Sequence, residues 1–156
     1  PLAYRGLGEL FVILFFGFVA VMGSAFVQCG EWLVGAVVAG MQIGCLSTIL
    51  IAVNNLRDLE EDRSTGKRTL AARFGVTFAR IEITVLLAVA YGIGLYWIDT
   101  DDTLLFTMPL TVLPLGLFVL IRLWTTAPGP SYNRLLALSG VHLLLFAGLF
   151  CMAAMP

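Results

Sequence analysis

The chain has 156 residues, of which 60% are hydrophobic and only 12% are charged, and its formal net charge is −1. Soluble domains carry about 25% charged residues, so this composition excludes an ordinary soluble fold and indicates an integral membrane protein. The net charge by itself says nothing about partners, although we expect none to be a nucleic acid. The three cysteines have no spacing typical of a metal or redox site.

Five stretches of the chain are long and apolar enough to cross a membrane, which takes about 20 residues. Apolar residues surround each stretch instead of forming one stripe, as expected for helices in lipid. Glycines such as Gly35, Gly40 and Gly44 recur within them and would let helix backbones approach closely. We therefore predict an all-α, multi-span transmembrane bundle with spans at about 7–27, 32–53, 79–98, 104–123 and 135–154.

The basic residues predict the orientation of the bundle. With five spans, all nine Lys and Arg residues fall on one side of the membrane, whereas the charged residues on the other side are all acidic. This distribution matches the positive-inside rule. We expect a multi-pass protein of the cell inner membrane in which residues 54–78 form a cytoplasmic loop. A turn at Pro128–Pro130 is predicted to join the last two spans on the same side, because proline cannot continue a helix.

The segment from Val53 to Gly75 contains nine charged residues in an otherwise apolar chain. Within it, Asn54, Asp58 and Asp62 are spaced four apart, so a helix that continues beyond the second span would carry them on one face. Two carboxylates one turn apart repel unless a cation lies between them. Mg²⁺ fits this position, because it takes oxygen ligands from one or two carboxylates and shares the rest with water and phosphates.

Basic residues follow these acids directly. A break at Ser64–Gly66 precedes Lys67 and Arg68, which would place them close to a metal-bound phosphate. Acidic residues that can bind a metal are thus followed by basic residues that can bind phosphate, which is the pattern of a diphosphate site. Because this segment lies at a membrane surface, where a hydrocarbon tail could lie among the helices, we predict that the ligand is a polyprenyl diphosphate. The alternative is an ordinary solvated loop with salt bridges, and the spacing alone favours that alternative, because pairs of Asp four residues apart are common.

Two segments resemble a known family. The stretch NNLRDLEEDRSTGKRTLAARFG (54–75) is similar to the second aspartate-rich motif of the UbiA superfamily of intramembrane aromatic prenyltransferases, and YRGLGEL (4–10) also resembles it. The similarity is greatest to the subgroup that prenylates 1,4-dihydroxy-2-naphthoate in menaquinone biosynthesis. Family members have nine spans and two such motifs. The resemblance therefore implies that residues 1–156 are the C-terminal half of a prenyltransferase domain. It also implies inactivity without an N-terminal half that carries the first motif.

The resemblance also implies a reaction and roles for individual residues. The reaction would be Mg²⁺-dependent transfer of a polyprenyl group from polyprenyl diphosphate to 1,4-dihydroxy-2-naphthoate. Asp58 and Asp62 would be catalytic and would bind the metal. The diphosphate would be held by a second set of residues, Asn54, Arg63, Lys67 and Arg68. For Arg57 and Arg63, a salt bridge to Glu60 or Glu61 is an equal expectation.

Two ionisable residues outside the motif are further candidates. Glu9 lies at the start of the first span, where we expect it to reach water at the interface. His142 lies inside the last span, where we expect a hydrogen bond to a neighbouring helix rather than a substrate contact. Competing functions are an aromatic prenyltransferase that uses 4-hydroxybenzoate or homogentisate as its acceptor, and a non-catalytic membrane subunit whose acidic pair binds a divalent ion structurally.

Overall fold

The computed structural model describes residues 6–155, which form helices and connections without any β-strand. The helices are α1 (Gly8–Cys29), α2 (Val34–Arg57), α3 (Leu59–Ser64), α4 (Leu70–Asp99), α5 (Thr103–Leu110), α6 (Leu113–Thr125) and α7 (Tyr132–Ala153). The middle of α1, Ile13–Met22, is a π-helix, and α4 contains a 3₁₀ turn at Ile93–Leu95.

The predicted all-α, multi-span bundle is confirmed. Four helices, α1, α2, α4 and α7, are long and apolar enough to cross a membrane, and α5 and α6 together provide a fifth candidate span that is bent by 46°. Pro114 at the start of α6 has no N–H to continue the ladder, so the chain turns there. The third span begins at Leu70, earlier than predicted, and is interrupted at Gly75, where φ is 87°.

Helix α2 lies at the centre of the bundle and packs against α1, α4 and α7. Its contact with α1 depends on the predicted small residues: a Cβ added to Gly40 would lie 2.8 Å from the Gly17 carbonyl oxygen. Gly44 faces Ile13 and Gly17 in the same contact. Because these glycines have no side chains, the backbones of α1 and α2 are in direct contact. This contact fixes the position of α2 and of the charged segment that follows it.

The core also contains buried polar contacts that tie α2 to α4. The Gln42 amide donates to the Ala90 carbonyl (2.9 Å) and accepts from the Trp97 indole N–H (3.0 Å). Because both polar ends of the Gln42 side chain are satisfied, its burial carries no large penalty. At the opposite end of these helices, the predicted turn at Pro128–Pro130 is present, with Gly129 at φ 140°.

Candidate functional site

The charged segment begins at the end of α2. Helical hydrogen bonds continue through the junction with α3, since the Asp58 N–H donates to the Asn54 carbonyl (3.0 Å) and the Asp62 N–H donates to the Asp58 carbonyl (2.8 Å). Asp58 itself departs from helical geometry, with ψ at 13°. The Asn54 amide also donates to Asp58 Oδ2 over 3.3 Å. The predicted helical spacing of these three side chains is therefore preserved across a local distortion.

Asp58 is held by its neighbour Arg57. The guanidinium Nε donates to Oδ1 over 2.6 Å and Nη2 donates to Oδ2 over 2.7 Å, which makes the pair bidentate. These hydrogen bonds hold the pKa of the Asp58 carboxyl below its usual range. Asp58 is therefore ionised at neutral pH, as a metal ligand must be.

Asp62 is held by the turn that follows α3. Lys67 Nζ lies 3.0 Å from Asp62 Oδ1, and the Thr69 hydroxyl donates to Oδ2 over 3.3 Å. Gly66 takes a positive φ of 73°, which reverses the chain and brings Lys67 back towards α3. Thr69 also caps α4 by accepting the Ala72 N–H. Asp62 is only 4% exposed, and each of its two carboxylate oxygens has one hydrogen-bond donor.

A cavity of about 550 Å³ lies beside Asp58, between the α2–α3 junction and the turn before α7. Its walls include Glu60 and Glu61 on one side and Pro128–Pro130 with Asn133 on the other. Arg57 Nη1 donates to Asn133 Oδ1 over 2.9 Å, so one guanidinium joins the two walls. Sequence reasoning missed Asn133 because it lies 76 residues from Arg57 and belongs to no local pattern.

The predicted phosphate-binding bases line a second cavity. Arg63, Lys67 and Arg68 are brought together around about 190 Å³, with Arg73 as a fourth base. Arg63 also forms the expected ion pair with Glu60 (3.4 Å), whose members are mostly exposed, so the pair adds little stability. Lys67 links this basic cavity to Asp62. The predicted site residues thus fall into two groups. Asn54 contacts Asp58, whereas Asp62 contacts Lys67 of the basic cavity.

The oxygen donors present fit a partly hydrated metal. Among residues 6–155, no three Asp, Glu, His or Cys side chains are close enough to form a metal site by themselves. Mg²⁺ does not require such a cage, since it is usually held by one or two carboxylates together with water and substrate phosphate. Asp58 is the more accessible carboxylate and has the Asn54 amide beside it, whereas Asp62 would have to exchange its hydrogen bonds from Lys67 and Thr69 to bind a metal.

The expectation for Glu9 is wrong and the expectation for His142 is confirmed. Glu9 is only 5% exposed and accepts a hydrogen bond from the Asn55 amide (2.7 Å), and its Oε2 has no partner within residues 6–155. The packing of α1 on α2 encloses it instead of leaving it at the interface. His142 lies 2.8 Å from the Tyr91 hydroxyl of α4, a helix-to-helix hydrogen bond within the core.

Comparison with known proteins gives a consistent result. The model of the UbiA prenyltransferase family matches residues 1–141. A protein of Mycobacterium leprae (strain TN) named 1,4-dihydroxy-2-naphthoate octaprenyltransferase is 34% identical over 149 residues, which cover 94% of this chain and 49% of that protein. The protein of the same name from Escherichia coli (strain K12) is 40% identical over 80 residues, which cover 51% of this chain and 26% of that protein.

A more distant relative widens the comparison. UbiA prenyltransferase domain-containing protein 1 of Homo sapiens is 31% identical over 113 residues, which cover 72% of this chain and 33% of that protein. The chain thus spans between about a quarter and a half of the length of these relatives. No solved structure matches it significantly.

Proposed function

Because the chain belongs to the UbiA prenyltransferase family, we propose that it forms part of an enzyme that transfers a polyprenyl group from a polyprenyl diphosphate to 1,4-dihydroxy-2-naphthoate. One observation carries this proposal. Two carboxylates one helical turn apart, Asp58 and Asp62, lie at the end of a candidate membrane span, and each forms an ion pair with a base. The names of the M. leprae and E. coli relatives support naphthoate as the acceptor.

In this proposal, Asp58 and Asp62 would hold Mg²⁺, which would neutralise charge on the leaving diphosphate. Arg57 and Lys67 exchange their present carboxylate partners for phosphate oxygens. Arg63, Arg68 and the Asn54 amide add donors to the same diphosphate. A planar guanidinium and a compact ammonium are well suited to that exchange, because both bind carboxylate and phosphate oxygens.

The chemical step moves charge from carbon to the leaving group. The bond between the allylic carbon and the diphosphate oxygen breaks, and its electron pair leaves with pyrophosphate. The cationic allylic carbon then bonds to the electron-rich ring of the acceptor. With dihydroxynaphthoate, the ring carboxylate leaves as CO₂ and its bonding electrons restore the aromatic ring. The basic side chains contribute by stabilising the developing negative charge on the diphosphate.

We further propose that this chain is inactive alone and works with an N-terminal half that supplies the first aspartate-rich motif. Its coverage of about half of the M. leprae relative supports this proposal. The enzyme would lie in the cell inner membrane with residues 54–78 on the cytoplasmic side. The concentration of Lys and Arg on one side of the predicted spans supports that orientation.

The test is prenyl transfer in membranes with Mg²⁺, a labelled polyprenyl diphosphate, and either dihydroxynaphthoate or 4-hydroxybenzoate. It compares this chain alone, the chain joined to its natural upstream sequence, and the joined form with Asp58→Ala. We expect product from dihydroxynaphthoate in the joined form only, with a loss of about 100-fold or more on Asp58→Ala or on chelation of Mg²⁺. Asp99→Ala is the matched control, since it removes an exposed carboxylate far along the chain from the motif.

Other outcomes would contradict the proposal in distinct ways. Product from 4-hydroxybenzoate alone would show that the proposed acceptor is wrong and that the prenyl-transfer reaction is right. Full activity of the isolated chain would reject the need for a second half. No product from either acceptor, with folded protein and normal metal binding, would leave the non-catalytic subunit as the better interpretation.

A further inference from the structure

A third cavity lies away from the aspartate motif, where the end of α6 meets the start of α7. It has a volume of about 220 Å³, and its polar wall is formed by Arg122, Thr126, Ser131 and Arg134. Two arginines and two hydroxyls are all hydrogen-bond donors, which is the composition of an anion site. None of these residues belongs to the proposed diphosphate site.

Within residues 6–155, no acid forms an ion pair with the two arginines of this cavity. The three ion pairs formed within residues 6–155 all involve acids between positions 58 and 62, and none includes Arg122 or Arg134. A third guanidinium lies at the edge, because Arg80 Nη2 donates to the Thr126 carbonyl over 2.8 Å. Three positive charges in one corner raise the local affinity for an anion.

The frame of the cavity is held in place by a buried tyrosine. Tyr132 is 0% exposed, and its hydroxyl contacts the carbonyls of Leu123 (3.0 Å) and Thr126 (2.9 Å). The first turn of α7 is therefore fixed to the last turn of α6. A ligand would bind between helix ends that are already positioned, which lowers the entropy cost of binding.

The two ends of the cavity differ in polarity. Phe118 and Leu138 also line it, and each lies four residues further into its helix than the nearer arginine. That separation is about 6 Å along a helix axis, in the direction of the membrane interior. Phe118 is 49% exposed and presents an apolar surface there. The arrangement suits a ligand with a phosphate at the surface and a hydrocarbon tail beneath it.

From this juxtaposition we propose that the cavity binds the head group of an anionic phospholipid, with Arg122 and Arg134 on the phosphate and the acyl chains along Phe118 and Leu138. Basic pockets between membrane helices on the positively charged side are a common form of lipid recognition. The proposal does not depend on the proposed prenyl transfer, since it uses none of the residues of that site.

The test measures lipid retention by native mass spectrometry on the protein joined to its upstream sequence, purified from nanodiscs of mixed phosphatidylglycerol and phosphatidylcholine. The double variant Arg122→Gln/Arg134→Gln is expected to reduce retained phosphatidylglycerol by about tenfold, since each basic residue contributes attraction at the surface. Arg122→Lys/Arg134→Lys keeps the charge but loses the bidentate fork, and is expected to retain an intermediate amount.

The matched control is Asp99→Asn, which changes one exposed charge at the end of α4, outside every proposed site, and is expected to leave lipid retention unchanged. Helical content by circular dichroism verifies that each variant is folded. Equal retention of both lipids by the unaltered protein would overturn the proposal, as would unchanged retention in the Gln double variant. A third arm offers a polyprenyl diphosphate: if the arginine pair retains that ligand and not phosphatidylglycerol, the lipid assignment is wrong.

Discussion

At the scale of single residues, the position of Arg57 depends on Asn133. One guanidinium contacts Asp58 through Nε and Nη2 and Asn133 through Nη1, which leaves it aligned along the wall of the larger cavity. If Arg57 moves from Asp58 to phosphate, the Asn133 amide still limits where it can go. Asn133 is in this sense a positioning residue, because it acts through the arginine.

We therefore expect Asn133→Ala to raise KM for polyprenyl diphosphate about fivefold, with a smaller change in kcat. The reason is the loss of one exposed hydrogen bond to a charged group, worth about 1 kcal/mol. Steady-state kinetics on the chain joined to its upstream sequence measure this, with Gln28→Ala as the control for loss of an exposed side chain elsewhere. An unchanged KM would show that Asn133 does not position Arg57.

At the scale of helices, the contact between α1 and α2 fixes the position of α2, and the aspartate motif begins at the end of that helix. The predicted cause is backbone contact at glycines, and the structure shows that Gly40 has no room for a methyl group against Gly17. Gly40→Ala is expected to destabilise the protein by about 1–3 kcal/mol, as overpacking does elsewhere. The measurement is thermal or denaturant unfolding in detergent.

A second glycine provides the comparison for this prediction. A Cβ at Gly148, within α7, would meet no atom of the described residues 6–155 within 4 Å. Gly148→Ala is expected to be neutral or to stabilise by up to about 1 kcal/mol through helix propensity. Equal behaviour of the two variants would argue against close packing of α1 on α2.

At the scale of the whole molecule, the cysteines report the orientation. Cys29 and Cys151 are exposed near the ends of α1 and α7, which we propose to lie at the membrane face opposite the basic residues, whereas Cys45 is buried. In intact spheroplasts, a membrane-impermeant maleimide is expected to label variants that retain only Cys29 or only Cys151. The variant that retains only Cys45 is expected to react after denaturation alone. If Cys29 and Cys151 were labelled only in inside-out vesicles, the proposed orientation would be wrong.

The sequence by itself determined the class of fold and predicted the residues of the candidate site. Low charge and five apolar stretches require helices in a membrane, because a spanning backbone must satisfy its own hydrogen bonds. The four-residue spacing of Asn54, Asp58 and Asp62 predicted their shared face, since helical periodicity is local. The same local patterns predicted the glycine contacts and the turn before the last helix.

Only the tertiary structure decided which distant residues meet. Nothing in the chain near Arg57 indicates Asn133, and nothing near Arg122 indicates the Arg80 and Tyr132 contacts at Thr126. Glu9 was expected at the water interface, yet the packing of α1 on α2 buries it against Asn55. The physical reason is common to all three: hydropathy and spacing describe one helix at a time, whereas cavities and buried pairs arise from the angles and distances at which separate helices pack.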